Sequence, residues 1–185
     1  MNDLILFALK DEAPDLFQYA NVFEIGVGKV NAAILTTHLI HLHQPSRVIN
    51  FGTAGGVTFE SGIHRVNKVV QHDLNLKPLG LLPGMQLHDE LSVIDLSGNG
   101  IVCGTGDYFV SEKHKLRLPC DIVDMEAYSI AKSALNFGVN IEIWKYVSDQ
   151  ADNNSGDSWK ESVAAGEPYY KQVIKKLNIN LTQEK

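Results

Sequence analysis

Short apolar segments alternate with segments of helical periodicity along this chain, and the alternation restricts its fold more than any other feature. Continuous apolar runs, such as residues 4–9 and 141–147, are typical of buried strands. Apolar residues recur at helical spacing over residues 31–44 and 125–137. The pattern predicts an α/β fold, namely a three-layer α/β/α sandwich with a mixed central sheet. We expect residues 1–185 to form this fold as a single domain.

Glycines, hydroxyl groups and acids follow the apolar runs. Four such groups are Asp11-Glu12, Thr53-Ala54-Gly55-Gly56, Gly104-Thr105-Gly106-Asp107 and Ser148-Asp149. Because ligands of α/β folds bind beyond the carboxyl ends of the strands, we expect these residues to surround a ligand site.

Three patterns predict element boundaries that a structure can test. The glycine-rich residues 52–56 predict a loop after a strand at residues 48–51. Residues 91–94 predict a short strand in the middle of the chain. The spacing of Ser158 and Glu161 predicts a capping box that opens the last helical segment.

The charge balance excludes a nucleic-acid-binding surface, because 22 acidic residues outnumber 16 basic ones and give a net charge of −6. No apolar run approaches the roughly 18 residues that span a bilayer. The first apolar run is too short, and flanked by acids, for a signal peptide. We therefore expect a cytoplasmic protein without nucleic-acid or membrane partners, whose cysteines, Cys103 and Cys120, are reduced.

Two glycine-rich stretches and a histidine cluster do not have the spacing of known cofactor sites. Gly26-Val27-Gly28-Lys29 lacks the earlier glycine and the following Ser or Thr of a phosphate loop, and residues 52–56 lack dinucleotide spacing. His38, His41 and His43 have no nearby cysteine or well-placed carboxylate and are typical of a solvated helix face. We expect no metal ion and no organic cofactor.

Three acids from distant parts of the chain are candidates for catalysis. Glu12 follows the first strand, Glu126 lies in the first turn of an otherwise apolar helix, and Asp149 closes the last strand. Each alone is more typical of a structural cap. Enclosed together, carboxylates acquire divergent pKa values, and such divergence allows one group to donate protons and another to accept them.

Six segments of the chain, in their order and context, resemble the nucleoside phosphorylase/nucleosidase superfamily, with the closest likeness to bacterial methylthioadenosine/adenosylhomocysteine nucleosidases. The segments are Leu9-Lys10-Asp11-Glu12, Gly26-Val27-Gly28-Lys29-Val30-Asn31-Ala32-Ala33, Asn50-Phe51-Gly52-Thr53-Ala54-Gly55-Gly56, Gly106-Asp107-Tyr108-Phe109-Val110, Asp124-Met125-Glu126-Ala127 and Val147-Ser148-Asp149-Gln150-Ala151-Asp152. The Met-Glu-Ala and Ser-Asp-x-Ala-Asp elements together are specific. The resemblance covers nearly the whole chain.

The resemblance implies hydrolysis of the bond between a purine and a ribosyl or 5′-thioribosyl group, as in methionine salvage. Asp149 would protonate the imidazole-ring nitrogen of the purine, with Ser148 assisting. Glu12 would draw a proton from the attacking water. Glu126 would accept hydrogen bonds from the ribose hydroxyls, with Met125 beneath the sugar.

The resemblance also implies positions for the purine base and for the cover of the site. Phe109 would stack on the base, the backbone of Val110 would bind its edge, and Trp159 would cover the ribose. Thr53 and Gly55 would bring a hydroxyl and backbone amides close to the substrate.

The chain departs from the family pattern at three points. Lys145 stands where the nucleosidases usually carry an arginine near the attacking water, and lysine lacks the planar guanidinium fork. Asp124 replaces a customary glutamate. The chain is shorter than usual members, which affects a 5′ subsite that the family completes from a second subunit. Pro83 is a candidate for this subsite, and the resemblance implies a homodimer.

Four interpretations remain as alternatives from the sequence. Hydrolysis is favoured over phosphorolysis, because the predicted phosphate positions carry Asn50 and Lys10 instead of arginine. A catalytically inactive purine-binding homologue is the third, suggested by the shortened scaffold and Lys145. An unrelated flavodoxin-like domain would explain the order of strands but not the carboxylates.

Overall fold

A computed structural model describes residues 2–87, 92–96 and 98–183 of the chain. In these ranges the chain forms eight β-strands and four α-helices. The strands are β1 (Asp3–Phe7), β2 (Val22–Glu24), β3 (Arg47–Gly56), β4 (Ile63–Gln71), β5 (Val93–Asp95), β6 (Ile101–Thr105), β7 (Ile122–Asp124) and β8 (Asn140–Asp149). The helices are α1 (Lys29–His43), α2 (Ala127–Asn136), α3 (Ser155–Ser162) and α4 (Glu167–Lys176).

One mixed sheet organises the molecule, as the sequence predicts. Its strand order is β2-β1-β3-β7-β6-β4-β5, and β8 pairs with both β3 and β4. Strand β3 is parallel to β1 and β8 but antiparallel to β7, whereas β4 is parallel to β6 and antiparallel to β8. Because β8 joins β3 to β4, the strands β3, β8, β4, β6 and β7 close into a ring.

Helices cover both faces of the sheet, and strand β1 illustrates the three layers. Leu4 and Leu6 belong to a core that includes residues of α1 and α2. Ile5 and Phe7 belong to a second core on the other face, which includes Tyr170 of α4. Because successive side chains of a strand point to opposite faces, the fully apolar run is what a strand between two helical layers requires.

The glycine-rich residues 52–56 form the end of β3, so the predicted loop is wrong. These glycines provide space for side chains that approach the strand. A Cβ atom on Gly52 would lie 3.1 Å from Glu12 Oε1, and one on Gly55 would lie 3.0 Å from Asp149 Oδ1. The small residues therefore allow two acids to approach the sheet, and no turn is needed.

Other boundaries also differ from the sequence-based predictions. Helix α3 begins at Ser155, whose Oγ accepts a hydrogen bond from Asp152 N at 2.7 Å, so Ser158 lies inside the helix and does not cap it. The strand predicted at residues 91–94 is β5, with residue 91 outside the described residues. Among the described helices, none has both the length and the apolar character that crossing a membrane requires.

Candidate active site

A cavity of about 190 Å³ lies where the carboxyl ends of β1, β3 and β8 meet the loops before α2 and α3. Ten of the eleven residues that the sequence predicts for the site line it. They are Glu12, Thr53, Gly55, Phe109, Val110, Met125, Glu126, Ser148, Asp149 and Trp159. Seven further residues complete the lining, and of these only Ala54 belongs to the four groups that the sequence analysis expected around a ligand. They are Ala8, Leu9, Val27, Ala54, Tyr108, Val123 and Asp124.

Glu12 lies at the end of a 3₁₀ turn that follows β1, and only 3% of its surface is exposed. Its Oε2 accepts hydrogen bonds from the backbone N–H groups of Ala8 and Leu9 at 3.1 and 3.2 Å. Its Oε1 accepts from the backbone N–H of Thr53 at 2.6 Å and from the Thr53 hydroxyl at 2.9 Å. Burial raises the pKa of the Glu12 carboxyl, although Lys145 and these donors act in the opposite direction.

Glu126 occupies the residue before α2, and its side chain reaches back to the start of α1. Gly28 N donates a hydrogen bond to Glu126 Oε1 at 2.9 Å. Burial, reinforced by the negative charge of Asp124, raises the pKa of the Glu126 carboxyl to about 8. A buried carboxylate with one oxygen bound by protein can accept hydrogen bonds from a ligand with the other.

Asp149 ends β8 beside Ser148, and its carboxylate is 6% exposed in the cavity wall. Ala151 N donates to Asp149 Oδ1 at 2.9 Å, and the Ser148 hydroxyl donates to Oδ2 at 3.0 Å. These two donors fix the plane of the carboxyl group. A group held in this way can present a proton to a ligand in one direction.

Lys145 is the one predicted site residue that does not line the cavity, and its role toward the substrate stays a prediction. Its side chain is buried, and its Nζ lies 2.8 Å from Asp124 Oδ2. Burial alone would lower the pKa of the Lys145 ammonium, but the surrounding carboxylates, Asp124 foremost, outweigh burial and raise that pKa. The ammonium therefore stays charged behind the cavity wall.

Asp124 connects Lys145 to the cavity, and the sequence identified it only as a departure from the family pattern. Its Oδ1 accepts from the Thr105 hydroxyl at 2.7 Å and its Oδ2 from Ala127 N at 2.8 Å. Burial works to raise the pKa of Asp124, but Lys145 and these hydrogen bonds outweigh burial and lower that pKa. Asp124 thus remains an anion beside Glu126.

The loop at residues 106–110 brings aromatic side chains to the mouth of the cavity. Tyr108 and Phe109 are 49% and 47% exposed, whereas Val110 is buried. The Tyr108 ring packs edge-on against His72, with ring centroids 5.1 Å apart. Two half-exposed aromatic rings at a cavity mouth can stack on a planar ligand and exclude water from it.

The arrangement suits chemistry on a sugar that develops positive charge. Three carboxyl groups, Glu12, Glu126 and Asp149, converge on one water-poor space from three different elements. Such groups can stabilise a cation and transfer protons. In the part of the chain that the structure describes, no group of three His, Cys, Asp or Glu side chains is arranged to hold a metal ion.

Comparisons with known proteins agree with this chemistry. Residues 18–73 match the Phosphorylase superfamily. The chain is 30% identical over 163 residues to a 5′-methylthioadenosine/S-adenosylhomocysteine nucleosidase of Marinomonas sp. (strain MWYL1), a match that covers 74% of this chain and 70% of the relative.

Solved structures show the same fold. The structure of the Streptococcus pneumoniae MTA/SAH nucleosidase in complex with 8-aminoadenine superposes with a TM-score of 0.82 at 21% identity and covers 94% of this chain and 97% of that one. The native futalosine hydrolase of Helicobacter pylori strain 26695 superposes with a TM-score of 0.84, also at 21% identity and with the same two coverages.

Proposed function

The chain belongs to the family of 5′-methylthioadenosine/S-adenosylhomocysteine nucleosidases, and from this membership we propose that it hydrolyses the N-glycosidic bond of a purine nucleoside. The proposed substrates are 5′-methylthioadenosine and S-adenosylhomocysteine, which places the enzyme in methionine salvage. The observation that carries the proposal is the convergence of Glu12, Glu126 and Asp149, all less than a tenth exposed, on one cavity.

Asp149 is the proposed general acid. A purine leaves poorly as an anion, so proton donation to its imidazole ring accelerates departure by on the order of 10²- to 10⁴-fold. The Ser148 hydroxyl and Ala151 N hold the Asp149 carboxyl in place for this transfer. Phe109 stacks on the base, and the backbone of Val110 binds its edge.

Glu12 is the proposed general base, and Glu126 the group that binds the ribose. As the bond breaks, the sugar becomes an oxocarbenium-like cation, which buried carboxylates stabilise. Glu12 takes a proton from the attacking water. Glu126 accepts hydrogen bonds from the 2′- and 3′-hydroxyls above Met125, while Gly28 N holds its other oxygen.

In this proposal Lys145 acts on the catalytic carboxyls without lining the cavity. Its ion pair with Asp124 holds the ammonium near Glu12 and Glu126, where its positive charge works to lower the pKa of both carboxyls, although the negative charge of Asp124 acts in the opposite direction on Glu126. We propose electrostatic support as its role, in place of direct contact with substrate.

Purine release from a nucleoside panel tests the function. The purified chain is incubated with methylthioadenosine, adenosylhomocysteine, adenosine, inosine and futalosine, each with and without phosphate, and free base is measured by chromatography. We expect phosphate-independent release from the first two substrates. An Asp149→Asn variant should lose at least 10²-fold in kcat, because proton donation is removed.

Two alternatives give different results in the same assay. Strict phosphate dependence would identify a phosphorylase, although the cavity lining among the described residues contains no arginine to bind phosphate. Binding of adenine without turnover of any nucleoside would identify an inactive purine-binding homologue. Either result defeats the hydrolase proposal.

We further propose that the enzyme acts as a cytoplasmic homodimer. Support comes from α1, which exposes Val30 and Ile34 on one side while it buries Leu39 and Ile40 on the other. Pro83 does not line the cavity of its own chain, so we propose that Pro83 of the partner subunit closes the 5′ end.

A further inference from the structure

Trp159 does more than line the cavity. Its indole N–H donates a hydrogen bond to Thr53 Oγ1 at 3.1 Å, and Thr53 Oγ1 lies 2.9 Å from Glu12 Oε1. An indole nitrogen can only donate, so the hydroxyl that accepts from it must direct its own proton elsewhere. The carboxylate oxygen of Glu12 is the acceptor within reach. The three side chains therefore form a relay that runs in one direction, from Trp159 through Thr53 to Glu12.

The Thr53 hydroxyl differs from the other donors to Glu12. Those donors are the backbone N–H groups of Ala8, Leu9 and Thr53 itself, which the chain holds in place. A hydroxyl can turn, so it is the one donor that can make way when Glu12 takes up a proton. A hydroxyl that accepts a hydrogen bond also donates a stronger one, by cooperative polarisation. The orientation of the Thr53 hydroxyl therefore sets the strength of its hydrogen bond to the Glu12 carboxylate.

We infer that Trp159 is a positioning residue for the catalytic base, whose indole N–H fixes the Thr53 hydroxyl so that its proton points at Glu12. The inference rests on the proposed function, in which Glu12 accepts the proton of water. It separates two properties of Trp159. The ring covers the sugar, as any aromatic side chain at this position would, whereas the N–H acts on Glu12.

Trp159→Phe separates these properties, because phenylalanine keeps an aromatic cover and removes the N–H. With methylthioadenosine as substrate, we expect kcat to fall by about threefold to tenfold, with KM changed by less than about twofold. The acid limb of the pH–kcat profile should move to higher pH, because Glu12 loses part of its hydrogen bonding. A change confined to KM, or a wild-type kcat and pH profile, would show that Trp159 is only a cover.

Trp144→Phe is the matched control. Trp144 also donates its indole N–H to a carboxylate, Glu142 Oε2 at 3.2 Å, but it lies outside the cavity lining. The same substitution there removes the same kind of hydrogen bond, and we expect kcat and the pH profile to stay within about twofold of the wild type.

The effect must pass through Thr53, and a double-mutant cycle tests this step. Thr53→Val removes the hydroxyl with little change of shape. In that background, Trp159→Phe should change kcat by less than about twofold, because the relay is already broken. An undiminished loss of kcat would overturn the relay.

The pH readout depends on the other groups that face Glu12. They are Lys145 from β8, Glu126 from the start of α2 and Tyr170 from α4. Trp159→Phe leaves all three in place. A shift of the acid limb in this variant, absent from the Trp144→Phe control, is therefore assigned to the relay.

Tryptophan fluorescence tests the relay without turnover. The chain has two tryptophans, so Trp159 is the only one left in the Trp144→Phe variant. We expect its emission to change with pH as Glu12 titrates, and the change to disappear with Glu12→Gln or Thr53→Val. A pH response that survives both substitutions would refute the relay. If the wild type releases no purine and the titration is still found, the proposed function fails while the relay stands.

Discussion

At the scale of single residues, Glu126 shows a conflict between stability and function. Its carboxyl is 6% exposed beside the anion of Asp124, and burial raises its pKa to about 8. An ionised carboxylate is what ribose hydroxyls require as acceptor. The folded chain therefore binds a proton at Glu126 more tightly than the unfolded chain does, and stability falls as pH rises from about 4.5 through about 8.

Glu126→Gln is expected to stabilise the protein at alkaline pH and to abolish most of its activity. The amide carries no charge and keeps an oxygen for Gly28 N. At pH 9 the free energy of unfolding should rise by up to about 5 kcal/mol, whereas at pH 4 it should change little, because both proteins are then neutral at this position. Thermal and urea unfolding at the two pH values measure the difference.

The exposed Glu60 provides a control for the charge change alone. At each of the two pH values, the free energy of unfolding of Glu60→Gln should equal that of the wild type within about 0.5 kcal/mol. If Glu126→Gln is no more stable than the wild type at pH 9, the Glu126 carboxylate of the wild type is not desolvated as described.

The three acids could be predicted from the sequence, but the position of Lys145 could not. Glu12 and Asp149 each follow a strand whose apolar run is visible, and Glu126 begins a periodic helix. The position of the Lys145 side chain depends on its ion pair with Asp124. Asp124 lies on β7, a strand of only three residues, which no periodicity in the sequence indicates. Strands β7 and β8 are brought together because both pair with β3, and local pattern does not encode an ion pair that depends on this arrangement.

At the scale of elements, the start of α1 shows what the backbone N–H groups of the glycine-lysine segment, residues 26–29, bind in this fold. The helix has no acidic residue in its first turn and no side-chain cap of its own. Two carboxylates from other loops take its first N–H groups instead, since Gly28 N donates to Glu126 and Lys29 N donates to Asp107 Oδ1 at 2.7 Å. The anion-binding capacity of a helix N-terminus is thus used to hold protein carboxylates.

The Lys29 ammonium also binds side chains at the start of α1, and we call this group of contacts the Lys29 junction. It lies 2.8 Å from Asp73 Oδ1, 3.1 Å from Gln71 Oε1 and 3.7 Å from Asp107 Oδ2. Desolvation works to raise the pKa of Asp73, but the hydrogen bonds from Lys29 and from Asp107 N, together with the positive charge of Lys29, outweigh it and lower that pKa. Asp107 immediately precedes Tyr108 and Phe109, so the same lysine holds the aromatic loop.

Lys29→Met should leave two neighbouring aspartates without their cation and should displace the aromatic loop. We expect the free energy of unfolding at pH 7 to fall by about 1 to 2 kcal/mol and the affinity for adenine to fall by about fivefold. Because the pKa of Asp73 is depressed in the folded protein, its contribution to stability is present above the unfolded pKa, near 3.8, and the stability difference should shrink as pH falls below that value. Urea titrations and adenine calorimetry provide the measurements.

Lys29→Arg keeps the charge and should recover most of both properties. Lys68→Met removes an exposed partner of Asp95, which lies 3.6 Å away, and should change stability by less than about 0.5 kcal/mol. An adenine affinity that is unchanged in Lys29→Met would separate the junction from the aromatic loop.

At the scale of the whole molecule, helices cover both faces of the sheet, but one face of α1 is exposed and carries apolar side chains. Strand β1 serves both cores, and α4 and α2 cover opposite faces of the sheet. Helix α1 buries Leu39 and Ile40, yet Val30 is 67% exposed and Ile34 61% exposed. An exposed apolar helix face of this kind is typical of a surface that packs against another protein.

The proposed homodimer would place a second copy of this chain on this face, next to the cavity. Val27, 40% exposed, precedes α1 and also lines the cavity, so a subunit seated on Val30 and Ile34 reaches the cavity mouth. We expect Ile34→Glu to convert the homodimer into a monomer in analytical ultracentrifugation and to raise KM for methylthioadenosine about tenfold, with a smaller effect on adenosine, which lacks the 5′-thiomethyl group. Tyr169→Glu places the same charge on α4, across the sheet, and should leave the dimer intact. A wild-type chain that sediments as a monomer contradicts the assignment, because the cavity must then be complete within one subunit.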